Sequence, residues 1–132
     1  MDVIKLSARA LQPIADEGIR VQQGWYDKNL HALHVTLWLI QDYESAHSDD
    51  ECDIEAAMVQ VNIWSDRDQN ELKERIKKMM KKNGFQYAEG NDESEPDTGV
   101  FTNAMRFLML RETDEEEENG RNTGKKGRAS GI

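Results

Sequence analysis

Polar and apolar residues alternate most clearly from Met58 to Trp64, where Val59, Val61 and Ile63 share one side and Gln60 and Asn62 the other. That period of two predicts a half-buried strand with Val59, Val61 and Ile63 on its inner face. The period then lengthens. Leu72, Ile76, Met79 and Met80 fall on one side of a helix, with Lys73, Lys77, Lys78, Lys81 and Lys82 elsewhere on it. Ser65 or Asp66 is placed to cap this helix, each being followed three residues later by a side chain able to reach back, Asp68 or Gln69. Gly84 supplies the left-handed residue that ends it, and Phe85 is expected to fold back onto Met80. Lysines in the last two turns suit the negative end of the helix dipole.

The same patterns extend to either side. Ile4, Ala8 and Leu11 predict a short helix over Val3 to Leu11, stopped by Pro13. Ile19 to Gln23 reads as a short strand and Gly24 to Asn29 as a turn. Leu30 to Gln41 reads as a strand with Leu33, Val35, Leu37 and Leu39 on one side and His34, Thr36, Trp38 and Ile40 on the other. Bulk on both sides predicts a central strand or one at a subunit contact. Gln86 to Gly90 is expected as a short edge strand, Asn91 to Asp97 as an acidic connection, and Val100 to Leu110 as the last strand. The order helix, strand, strand, strand, helix, strand, strand predicts an α+β fold. Its expected form is a mostly antiparallel sheet of four to five strands with two helices packed on one face.

Composition narrows the picture. The chain of 132 residues has a net charge of −9 and is 37% hydrophobic, enough for one core. Such acidity argues against a surface built to grip nucleic acid, although local basic patches are compatible with it. The single Cys52 excludes an internal disulfide, and the histidines show no zinc-type spacing. The apolar run at Leu33 to Ile40 is too short to span a bilayer and the N-terminus lacks a signal pattern, so a soluble, unexported protein is expected. Asp42 to Glu55 holds seven acidic residues and no basic one, which predicts a solvated loop. From Glu112 onward apolar periodicity is lost, so the expected division is a folded 1–111 and a charged, flexible tail 112–132.

Four segments resemble the tail-completion proteins of long-tailed bacteriophages, the tail-to-head joining proteins and tail terminators. They are Ala10-Leu11-Gln12-Pro13-Ile14, Val61-Asn62-Ile63-Trp64-Ser65, Met79 to Phe85, and Pro96 to Phe107 with its Asp97-Thr98-Gly99 turn. Their order and spacing follow that family over roughly residues 3 to 110; the family often has Tyr-His where Phe101-Thr102 stands here. The resemblance implies an α+β subunit of a virion ring, usually of six copies, at the head-proximal end of the tail. The ring would be assembled in the host cytoplasm. It would end the tail tube and join it to the head connector or a head-completion protein, with the tube protein as the other neighbour. The genome would pass through its lumen without specific binding. Neither catalysis, a cofactor, a metal nor a membrane is implied.

Candidate contacts follow from residue type and position. Trp38 stands on the second bulky side of its strand, as an interface aromatic would. Arg106, between Met105 and Phe107, either faces solvent, pairs with an acid or meets a neighbouring subunit. Lys77 and Lys78 present the basic helix side to solvent or to an acidic neighbour, and Asp97 sits in a turn that is either structural or a subunit contact. Asp49, Asp50, Glu51 and Asp53 either line a ring lumen, keeping DNA from adhering, or belong to a solvated insertion. With His47 nearby they invite a metal reading, but they lack the glycine and spaced carboxylates of a calcium loop. A different class of function, an acidic DNA mimic or host-protein binder, requires carboxylates at regular spacing on rigid elements. An enzyme would need a phosphate loop, a nucleophile-base pair or a metal cluster, none of which the sequence offers.

Overall fold

The computed structural model describes residues 1–27, 32–45, 54–112, 126–127 and 130–131. Asp2 opens the first helix, α1 (Val3–Ala10), by accepting the Lys5 N–H at 3.1 Å. Pro13 does not stop the helical run, contrary to expectation. It lies in the first turn of a second short helix, α2 (Gln12–Asp16), where a missing N–H costs nothing.

Five strands form one sheet in the order β1-β2-β3-β5-β4: β1 (Arg20–Gln23), β2 (His34–Ser45), β3 (Ile54–Ser65), β4 (Gln86–Glu95) and β5 (Val100–Glu112). The longest helix, α3 (Asn70–Lys82), joins β3 to β4. The fold is α+β, but the sheet is mixed rather than mostly antiparallel, because β1 runs parallel to β2 with Arg20 opposite His34 and Gln23 opposite Leu37. As expected, β2 is interior to the sheet.

Both acidic stretches depart from the expected loops. Asp42–Ser45 continues β2 and Ile54–Glu55 begins β3, while Asn91–Glu95 completes β4. Acidic composition disfavours burial, not extension: the end of β2 is exposed, and a ladder partner holds such a strand without a core. On the edge strand β4, charge also discourages pairing with foreign strands. Asp49, Asp50, Glu51 and Asp53 lie outside the described residues.

The chain divides into two units, 1–41 with 57–109 and 42–56 with 110–132. In the first, Val59, Val61 and Ile63 of β3 are fully buried, as predicted, together with Val35 and Leu37 of β2 and Met105 and Phe107 of β5. The same cluster takes in Val3, Ala10, Leu11, Ile14, Leu72, Ile76, Met80 and Phe85. Leu39, on the same side of the strand as Val35 and Leu37, is exposed, since the cluster ends at Leu37 on that strand. In the second unit, β6 (Lys126–Gly127) pairs antiparallel with β7 (Ser130–Gly131).

The start of α3 corrects another expectation. Neither Ser65 nor Asp66 caps it; β3 continues to Ser65, whose hydroxyl accepts the Arg67 N–H at 3.2 Å. The cap residue is Gln69, whose own N–H donates to Oδ1 of Asn103 in β5 at 2.8 Å. The end of α3 follows the prediction: Gly84 has φ +94°, its N–H donates to the Lys81 carbonyl, and the Phe85 N–H reaches the Met80 carbonyl at 3.0 Å. At the far end of the β4–β5 hairpin, Gly99 (φ +75°) donates its N–H to the Glu95 carbonyl at 2.8 Å, closing the turn that contains Asp97.

Candidate functional site

Strand alternation sends every second side chain away from the buried cluster. From β2 these are Thr36 and Trp38, from β3 Gln60, Asn62 and Trp64, and from β5 Thr102, Ala104 and Arg106. Over this face lies the segment after β1. Its position is set by His34, a buried residue whose Nε2 accepts the Asp27 N–H at 3.3 Å and whose Nδ1 lies 2.7 Å from the Ala32 carbonyl. A carbonyl only accepts and a backbone N–H only donates, so these two contacts match a His34 tautomer with its proton on Nδ1. Tyr26 stacks on His34, and Trp64 anchors the group by donating its Nε1–H to Thr36 Oγ1 at 2.8 Å.

Trp25 therefore stands edge-to-face against both Trp38, at 5.8 Å between ring centroids, and Trp64, at 5.7 Å. Trp64 is buried, whereas Trp25 and Trp38 are 51% and 45% exposed. Beside them opens a cleft of about 600 Å³, bounded by Trp25 and Trp64, by Gln60, Asn62 and Arg106, and by Glu89, Asn91 and Glu93 of β4. This size suits a small ligand or a partner's side chains. Arg106 Nε donates to Gln60 Oε1 at 3.1 Å, and its Nη1 lies 3.3 Å from Glu89 Oε2. Gln60 Nε2 donates to Asn62 Oδ1 at 2.9 Å, and Asn91 Nδ2 to Glu93 Oε2 at 3.2 Å.

Among the residues singled out from sequence, Trp38 and Arg106 share this face and Trp25 bridges toward both. Lys77 and Lys78 belong to α3 instead. Lys78 is exposed, while Lys77 Nζ sits 4.3 Å above the Tyr87 ring and 3.4 Å from Glu74. Asp97 is exposed in the hairpin turn. Sequence reasoning missed the amide row Gln60–Asn62 and the β4 residues Glu89, Asn91 and Glu93. The alternation at Gln60 and Asn62 is the available signal, whereas the sequence predicts the end of a strand and a loop for the β4 residues.

On the cluster side, fully buried Asn103 donates from Nδ2 to Asp68 Oδ1 at 2.8 Å and Asp92 Oδ1 at 3.1 Å, and Asp92 also pairs with Lys73 at 3.0 Å. These bonds tie β5 and β4 to the start of α3. Among the described residues, no group of three or more His, Cys, Asp or Glu could hold a metal ion, and no helix is long and apolar enough to cross a membrane. No protein-family model matches the sequence, and comparison with curated proteins gives no significant match.

Proposed function

We propose that this chain is a structural subunit of a phage virion, forming a ring at the head-proximal end of the tail that ends the tube and joins it to the head connector. One observation carries the reading. The four segments that resemble tail-completion proteins contribute to a single buried cluster: Leu11 and Ile14 from the first, Val61 and Ile63 from the second, Met80 and Phe85 from the third, Met105 and Phe107 from the fourth. A shared fold requires that these segments meet in one core, and they do.

In this reading the helices pack together on one face of the sheet and the opposite face, with Trp38 and Arg106, is left for neighbouring protein. The ring acts by shape, without catalysis or cofactor, and is expected to hold six copies, the number usual for such rings. Asp97, Lys77 and Lys78 are further contact candidates, and the genome passes through without specific binding. Virions made without this protein should show tails of irregular length or tails detached from heads. Normal tail length together with normal joining would refute the assignment.

One observation favours the acidic-mimic alternative more than the sequence did: Asp92, Glu93 and Glu95 stand with Glu89 on a strand rather than in a loop. Two of these charges are nevertheless countered, Glu89 by Arg106 and Asp92 by Lys73. A mimic would displace DNA from a basic binding protein; the virion reading expects no displacement.

A further inference from the structure

The cleft beside Trp25 contains a polar chain whose direction is fixed from one end. Arginine can only donate, so the Arg106 Nε–H contact makes the facing atom of Gln60 its carbonyl oxygen. The other Gln60 atom is then the amide nitrogen, and the Asn62 atom that receives its hydrogen is again an oxygen. What is left over is the Asn62 amide nitrogen, with two hydrogens and no acceptor among the described residues, at the cleft end of a side chain that is otherwise 3% exposed. At the cleft wall this donor is open to water or to a ligand that accepts from it.

The walls specify what kind of ligand. Trp25 offers an accessible indole next to Trp64, a surface for an alkyl chain or for a cation over the ring. Across the cleft, Glu93 has only the neutral Asn91 amide for company, and Glu89 is shared with Arg106. Two carboxylates against one guanidinium leave the lining one negative charge in excess. An anion is therefore disfavoured, and a neutral sugar would leave that charge unanswered.

We propose that this cleft is a docking site for a basic side chain, lysine or arginine, presented on an extended segment of a partner protein. The partner's backbone carbonyl accepts from Asn62 Nδ2, the alkyl stem lies along Trp25, and the cationic head sits at Glu93 and Glu89. The amphipathic stem and charged end of lysine and arginine match an aromatic wall that ends in carboxylates. The site does not depend on the virion reading and would serve any assembly in which such a partner is present.

Titration of the full chain with the peptide acetyl-(Gly-Lys)3-amide, followed by the indole Nε1–H signals in NMR, tests this. All three tryptophans lie in the one cluster, so their signals report the cleft directly. The lysine peptide should shift the Trp25 signal, and raising the salt concentration should weaken the effect. The counterpart with Nε-acetylated lysines should not shift it. Trp25→Ala with Glu93→Gln together should weaken binding about tenfold, measured on amide signals of β3 and β5, which also report that the fold is kept. Asn62→Ala should weaken it as well. Equal shifts with the acetylated peptide, a comparable response to maltohexaose, or undiminished binding by the Trp25→Ala, Glu93→Gln protein would each overturn the proposal. So would the absence of any shift with the lysine peptide at millimolar concentration. None of these outcomes touches tail length or joining in virions, so the two readings fail separately.

Discussion

Single residues carry structural roles here that their neighbours in sequence do not reveal. Asn103 satisfies the Gln69 N–H and gives both amide hydrogens to carboxylates, and it is fully buried. Asn103→Ala removes all three bonds and leaves the Gln69 N–H without its acceptor, so it should cost about 2–3 kcal/mol in denaturant unfolding. Glu17, just after α2, pairs through both carboxylate oxygens with Arg75 of α3. The Arg75 hydrogen bond lowers the Glu17 pKa from the usual 4.5. A carboxyl whose folded pKa is depressed contributes stability above its unfolded value and loses it as pH falls through the folded one. NMR titration should therefore find the Glu17 midpoint below 4.5, and Arg75→Gln should move it back upward.

Elements show which parts of the fold were legible and which were not. The alternation at Val59, Val61 and Ile63 and the helical spacing of Leu72, Ile76 and Met80 gave their buried faces, because periodicity registers which side is withdrawn from water. Gly84 ended α3 as expected, since a left-handed residue is a local requirement. Gly84→Ala should cost about 1 kcal/mol in thermal or denaturant unfolding, purely from backbone strain. An added Cβ there would meet only the Met109 side chain, at 3.6 Å from Cε and 3.9 Å from Sδ, ordinary contacts. Illegible elements were those settled by distant partners. The start of α3 waits on Asn103, a residue of β5, and the acidic end of β4 becomes a strand because β5 pairs with it. Pro13 was misread because a stop and a first-turn position look alike until the following turn is seen. The parallel pairing of β1 with β2 likewise leaves no mark in the pattern of polarity. Within the candidate site, Trp38 and Arg106 could be picked out as bulky or charged residues on strands, but their link through Trp25 depends on His34 holding the Trp25–Asp27 segment in place.

For the whole molecule, net acidity and a basic α3 pose the question of whether the lysines of one subunit meet acids of the next. Lys78 is the cleaner probe, since it is exposed, whereas Lys77 already has Tyr87 and Glu74 as partners. If α3 forms such a contact, Lys78→Glu should weaken ring assembly and flatten its salt dependence, read by sedimentation of assembled tails, with monomer stability unchanged. Unaltered assembly would remove α3 from the interface. The virion reading as a whole is tested most directly by locating the subunit in an intact particle by electron cryomicroscopy, with an antibody or a fused domain as marker. The account predicts one ring of density between the last tube ring and the head connector. Marker density anywhere else on the particle, or particles that contain none of this protein, would contradict it.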